Sequence, residues 1–161
     1  MKIVDFVNKS TNESPKFADS GSSGFDLRAW ITEENGGLGN GKHDYYYILE
    51  PFERKLIHTG LYFDIPNSCE IQVRPRSGLA LKKGLTVLNT PGTIDESYTG
   101  ECCVILINLS NENVVVENGE RIAQAVLCPV YNGYEVDLIE IKELTKETER
   151  GDGGFGHTGT H

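Results

Sequence analysis

Short runs of β-branched and aromatic residues, closed by Gly, Pro or Asn at a spacing of roughly 8–12 residues, recur along most of the chain and restrict its fold more than any other feature. Candidate strands fall at residues 2–7, 25–30, 45–49, 55–57, 61–65, 70–73, 85–87, 101–108, 114–116, 122–130 and 135–139. No long stretch carries apolar residues at helical spacing, and strand–helix–strand alternation is absent. The pattern predicts an all-β sandwich or barrel. One short helix fits the stretch after Arg76, with Ser77 suited to the N-cap and Gly84 suited to the position past the end. Lys82 and Lys83 in its last turn would complement the helix dipole. Residues 35–41, Asn-Gly-Gly-Leu-Gly-Asn-Gly, predict a mobile connecting loop without a functional role.

The 161 residues contain no internal repeat and no linker, so a single domain is expected. Hydrophobic residues make up 38%, which is ordinary for a globular chain, and no apolar run approaches the ~20 residues a membrane helix needs. The start, MKIVDFVNKS, alternates polar and apolar residues and carries Asp5, so a signal peptide is not expected and a cytoplasmic location is. A net charge of −9 excludes a sequence-independent nucleic-acid binder, which needs a cationic footprint. A small anion can still be bound where arginines, backbone donors or a metal ion reverse the field locally. Of the four cysteines, Cys102 and Cys103 are adjacent, Cys69 and Cys128 stand alone, and no zinc spacing occurs. They are expected to be reduced packing residues.

Four stretches carry chemistry, and each also has an ordinary structural reading. The tail, Arg150-Gly-Asp-Gly-Gly-Phe-Gly-His-Thr-Gly159, contains Gly-x-Gly-x-x-Gly, but no helix can follow it, so a dinucleotide site is ruled out. Such a segment is either a loose end or a flap whose bare backbone N–H groups converge on an anion. At Arg74-Pro-Arg-Ser-Gly78 a helix start offers unpaired N–H groups; it reads as a capped surface helix or as a phosphate site. Leu88-Asn-Thr-Pro-Gly-Thr-Ile-Asp-Glu-Ser-Tyr98 reads as a tight hairpin, with Pro91-Gly92 at the centre of a type II turn and Asp95 just beyond. Its open mouth could pair with a pyrimidine edge. Gly119-Glu-Arg-Ile-Ala-Gln124 adds a cation and an amide.

Taken in order, these stretches together with Ser23-Gly-Phe-Asp-Leu-Arg-Ala29 resemble the five motifs of the trimeric dUTPase family. The remaining pieces are Pro75-Arg-Ser-Gly-Leu-Ala80, Gly92-Thr-Ile-Asp-Glu-Ser-Tyr-Thr-Gly-Glu101, the segment Gly119 to Gln124, and the tail from Arg150. The resemblance implies a jelly-roll-like β fold over residues 1–149 and a C-terminal arm over 150–161. It implies a homotrimer whose three active sites are shared between chains. The implied reaction is magnesium-dependent hydrolysis of dUTP to dUMP and pyrophosphate, which limits uracil incorporation into DNA and supplies dUMP for thymidylate synthesis.

The same resemblance assigns roles. Asn89, Gly92, Thr93 and Ile94 would read the uracil edge, where an unpaired buried polar group costs a wrong base ~1–3 kcal/mol. Tyr98 would lie against the deoxyribose and leave no space for a 2′-hydroxyl. Asp95 would activate the attacking water, a proton transfer for which an aspartate carboxylate is suited at neutral pH. Arg76, Ser77, Gly78 and Gln124 would contact or organise the phosphates. Arg150, Gly156, His157 and Thr158 would close over them, with Phe155 stacked on the uracil. Asp26 would either hold a metal-bound water or orient an arginine, with Mg2+ carried chiefly by the triphosphate. His157 replaces a frequent serine, Thr99 a frequent arginine, and residues 35–41 lengthen a loop. A dCTP deaminase or bifunctional enzyme of the same fold would need a catalytic glutamate near the second motif and would release ammonia. A non-catalytic nucleotide-binding module would bind dUTP without releasing pyrophosphate.

Overall fold

A computed structural model describes residues 2–39 and 44–154. Its elements run β1 (Asp5–Asn8), β2 (Phe25–Arg28), β3 (Leu38–Gly39), β4 (Tyr45–Leu49), β5 (Arg54–Ile57), β6 (Leu61–Asp64), β7 (Cys69–Arg74), α1 (Ser77–Lys83), β8 (Leu85–Val87), β9 (Gly92–Ile94), β10 (Val104–Asn108), β11 (Val114–Glu117) and β12 (Arg121–Pro129). Every ladder is antiparallel. The sheets have the strand orders β2-β12-β7-β9, β5-β10-β8, β11-β4-β3 and β1-β6. They share one core. Leu27 and Ile71 enter it from the first sheet, Ile57 and Leu106 from the second, Leu49 and Val116 from the third and Phe63 from the fourth. None of the described helices is long and apolar enough to cross a membrane.

Period-two alternation explains why these segments are strands. In β7, Cys69, Ile71 and Val73 are buried while Glu70, Gln72 and Arg74 point away, and β10 repeats the pattern. In β12 the alternation breaks. A register shift between Arg121 and Ala123 lets consecutive Ile122 and Ala123 both enter the core, as a bulge does. Buried Asn108 closes the end of β10. Its amide donates to the Leu49 and Glu112 carbonyls at 3.0 and 2.7 Å, and its oxygen accepts from the Ser110 N–H at 2.9 Å.

Several expectations are corrected. Residues 135–139 form no strand. Leu138 and Ile139 are 95% and 79% exposed, no edge among the described residues lies beside the segment, and its first two N–H groups, of Glu135 and Val136, turn back to the Asn132 carbonyl at 2.9 and 3.0 Å. Residues 101–103 stay outside β10, where the Cys102 N–H instead donates to the Leu61 carbonyl at 2.8 Å. Two short strands, β3 and β9, arise where glycine-rich sequence gave no alternation to read. Ser77 is the first helical residue and Arg76 the cap, with no side-chain capping bond; Gly84 does take the left-handed turn, at φ 63°. The first part of the 35–41 loop is held in place. Asn35 accepts the Thr32 N–H at 2.8 Å and donates to the Trp30 carbonyl at 2.8 Å, and the Tyr47 hydroxyl donates to its side-chain oxygen at 2.9 Å. Asn40 and Gly41 lie outside the described residues.

Gly60, between β5 and β6, has φ +70°, and a Cβ there would sit 2.7 Å from both the nitrogen and the Cβ of Ser10. Gly60→Ala should therefore lose at least the ~1–2 kcal/mol of a left-handed non-glycine residue. A urea midpoint unchanged from wild type would contradict this.

Candidate active site

Two groups of the expected residues form, at different places on the four-stranded sheet. The first gathers where β2, β12 and the exit of β7 lie side by side. Gln124 pairs across the sheet with both Asp26 and Arg74. Its amide donates to the Pro75 carbonyl at 2.9 Å, which pins the corner between β7 and α1. From that corner Arg76 places Nε 2.8 Å from Asp26 Oδ1 and donates from Nη1 to the Arg121 carbonyl at 3.1 Å. Arg121 completes the cluster, its Nη1 standing 3.2 Å from Asp26 Oδ2. One carboxylate thus aligns two guanidinium groups that remain accessible from solvent. Ser77 and Gly78 lie exposed on the first turn of α1, which has no acidic residue. A Cβ on Gly78 would meet nothing within 4 Å, so the packing of this chain does not itself demand glycine there.

The second group follows β8. The expected tight hairpin is not a paired one: β8 bonds to β10 and β9 bonds to β7. The two strands diverge into different sheets because each finds a longer partner there. Their facing edges carry no ladder bonds to each other, which leaves main-chain donors and acceptors there for other partners. The turn is also not type II. The Thr90–Pro91 peptide is cis, and Gly92 lies in β9 outside the positive-φ glycines. Asn89 folds back over that glycine; a Cβ on Gly92 would come 3.1 Å from Asn89 Nδ2. Thr93 is exposed and Ile94 half-buried on β9.

Beyond β9 the chain turns, with the Tyr98 N–H donating to the Asp95 carbonyl at 3.0 Å. The Tyr98 hydroxyl donates to the Glu101 carbonyl at 3.1 Å, and its ring covers Gly100, where a Cβ would collide with the phenol oxygen. Glu96 fixes the turn from below, accepting the Ser68 N–H and the Asn132 amide on one oxygen, each at 3.0 Å. Asp95 is exposed at the rim of a cavity of about 350 Å³ that also touches Glu70, Asn132 and Tyr134.

The two groups do not meet within one chain. Val73 pairs with Gly92 and Ile71 with Ile94, so Asp95 is level with Glu70, at the opposite end of β7 from Arg76. Six extended residues separate those levels, roughly 20 Å at ~3.3 Å per residue. Arg150 joins neither group, its described bond being from Nε to the Gly153 carbonyl at 2.8 Å. Phe155, Gly156, His157 and Thr158 lie outside the described residues. Sequence reasoning noted Arg121 only as a cation, without a partner, and assigned no role to Gly100. For Arg121 the cue was a cation three residues before Gln124, and for Gly100 a glycine two residues after an aromatic ring.

The family model for dUTPase matches residues 42–159. A deoxyuridine 5′-triphosphate nucleotidohydrolase of Hydrogenobaculum sp. is 51% identical over 159 residues, 99% of both chains. That of Finegoldia magna is 46% identical, over 97% of this chain and 98% of its own. The chain belongs to the dUTPase family. The solved structure of the Staphylococcus bacteriophage 80alpha dUTPase with dUPNHPP matches its fold at a TM-score of 0.79, covering 99% of both chains at 22% identity. The all-β, jelly-roll-like architecture expected from the strand rhythm and from the resemblance is therefore that of the dUTPases, and the chain is an enzyme of this family.

Gly100 is the contact on which the Tyr98 ring depends. In tyrosine-labelled protein, the ring resonance removed by Tyr98→Phe should shift in Gly100→Ala while the other tyrosines stay in place. A Tyr98 resonance at its wild-type position would contradict this packing.

Proposed function

We propose that the chain hydrolyses dUTP to dUMP and pyrophosphate in active sites assembled between neighbouring copies, in a homotrimer. The observation that carries this reading is that β8 and β9 leave their facing edges unladdered to each other, with Asn89 folded over Gly92 between them and Asp95 and Tyr98 just beyond. A uracil edge set against those strands pairs with main-chain groups and with the Asn89 amide. Gly92, Thr93 and Ile94 flank that base and exclude a 5-methyl group by contact. A cytosine edge would leave a buried polar group unpaired, at ~1–3 kcal/mol. Tyr98, held by Gly100 and the Glu101 carbonyl, presents its ring to the deoxyribose and excludes a 2′-hydroxyl by contact.

Asp95 accepts a proton from a water as that water attacks the α-phosphorus. The bond from the α-phosphorus to the bridging oxygen breaks, and pyrophosphate leaves. No covalent intermediate is needed. No hydrogen bond or ion pair engages the Asp95 carboxylate among the described residues, which leaves it available for water. A neighbouring copy supplies Arg76, Ser77, Gly78 and Gln124 to the phosphates, because the chain's own set lies roughly 20 Å along β7 from Asp95. Arg150, Phe155, Gly156, His157 and Thr158 close the site as an arm.

The segment that leads to that arm supports assembly. Between residues 131 and 144, Tyr131, Tyr134, Leu138 and Leu144 are each at least 85% exposed. Burying a large apolar side chain is worth ~1.5–3 kcal/mol, and nothing among the described residues covers these. A second copy does.

Magnesium accompanies the triphosphate, whose charge it neutralises when bound. The donor set at Asp26 does not fit a directly ligated Mg2+, since one oxygen faces Arg76 and the other Arg121. Of the two roles expected for Asp26, orienting an arginine is the one this geometry supports.

Asp95→Asn should retain dUTP binding while turnover falls by at least ~100-fold, the low end of general-base contributions. Near-normal pyrophosphate release would remove Asp95 from this role. A chain ending at Glu149 should keep its fold and assembly but lose most turnover; full activity in the shortened chain would contradict the assignment of the arm.

A further inference from the structure

Away from the nucleotide groups, three metal-capable side chains converge among the described residues: His58, Glu101 and Cys103. His58 follows β5, and Glu101 and Cys103 lie in the segment entering β10. Glu101 Oε2 is 2.8 Å from His58 Nδ1, while Oε1 accepts the Thr59 and Gly60 N–H groups at 3.1 and 2.8 Å. The Cys103 sulfur lies 3.8 Å from the same Nδ1. All three donor atoms fall within 4.8 Å of one another. The His58 and Glu101 side chains are 35% and 16% exposed, so protein walls the group while one side stays open to water.

We propose that His58 Nδ1, Glu101 Oε2 and Cys103 Sγ form a binding site for a zinc-class divalent cation, with water as fourth ligand. Tetrahedral zinc, with bonds of about 2.0–2.2 Å to N and O and about 2.3 Å to S, sets N···O and N···S separations of about 3.4 and 3.6 Å. The observed 2.8 and 3.8 Å differ from these by amounts that small side-chain rotations supply. Mixed nitrogen, oxygen and sulfur donors suit zinc or cobalt; magnesium requires oxygen. The two backbone N–H groups on Oε1 leave Oε2 aimed at the ring, as outer-shell partners of metal ligands do. An ordinary His58–Glu101 ion pair would account for those two residues and not for the thiol beside them.

Capture breaks the Cys103 S–H bond. That proton leaves to solvent and a sulfur lone pair makes the metal–sulfur bond; the Nδ1 proton that His58 donates to Glu101 also leaves, passing by way of solvent to Nε2 when the ring is neutral, so that the Nδ1 lone pair meets the metal, and nothing is oxidised or reduced. Burial, with the neighbouring Glu101 carboxylate, pushes the free thiol up to about 12, so the metal itself must displace that proton. Burial also works against the Glu101 carboxylate, but the hydrogen bonds from His58, Gly60 and Thr59 outweigh it and hold the carboxyl below the usual range. An anionic ligand is thus ready at the site. Bound metal would clamp the turn at residues 58–60 to the segment entering β10.

Cobalt titration of the full, chelator-stripped chain tests the site without recourse to activity. The expected result is one Co2+ per chain with a thiolate-to-cobalt charge-transfer band, displaced by Zn2+, which also raises the melting temperature. Cys103→Ser should abolish the band, and His58→Gln should weaken binding by more than the ~10–100-fold that loss of an outer-shell partner costs. Cys128→Ser, whose thiol lies 3.6 Å from Arg74 Nη2, should keep the band. The wild-type chain decides alone if a variant fails to fold. Absence of the band in wild type, or its survival in Cys103→Ser, overturns the proposal.

Discussion

Strand β7 is the spacer on which the arrangement of this enzyme depends. It is hydrogen-bonded to β12 on one side and β9 on the other, and Cys69, Ile71 and Val73 anchor it in the core. A strand held on both edges neither shortens nor bends appreciably. The residues at its two ends, Arg76 beyond its exit and Asp95 level with its start, are therefore kept apart at a fixed distance. The proposed sharing of the site between copies rests on that separation.

Within each half, small residues and shared carboxylates do the positioning. Asp26 gives one oxygen to each of two arginines, so the loss of that single carboxylate would release Arg121 and leave Arg76 only its bond to the Arg121 carbonyl. Gly100 lets the Tyr98 ring lie flat against the backbone, and Gly92 lets the Asn89 amide fold over its own strand. Glu96 ties the turn after Asp95 to Ser68 and Asn132, and so links the candidate nucleoside site to the start of the exposed segment that leads to the arm.

The all-β class was legible because inward and outward residues alternate along β7, β8, β10 and β11, and a half-buried strand imposes that period. The family was legible because glycines, arginines and one aspartate recur in a fixed order. Geometry that depends on distant residues was not legible. Nothing local in Pro91-Gly92 reveals a cis peptide, and nothing in residues 135–139 reveals that their alternation has no partner strand in the same chain. Ser77 has the chemistry of an N-cap, yet the extended backbone of Arg76, tethered to Asp26, takes that position. His58 and Cys103 are 45 residues apart, so only the folded chain brings them together.

The division of the active site between chains is tested most directly by mixing two inactive variants. Asp95→Asn lacks the candidate base and Arg76→Ala lacks the candidate phosphate cation. After the two are unfolded together and refolded at equal amounts, sites that draw Asp95 from one variant and Arg76 from the other should restore roughly a quarter of wild-type turnover. Activity no higher than that of either variant alone would mean that each chain completes its own site, and would contradict a site shared between copies.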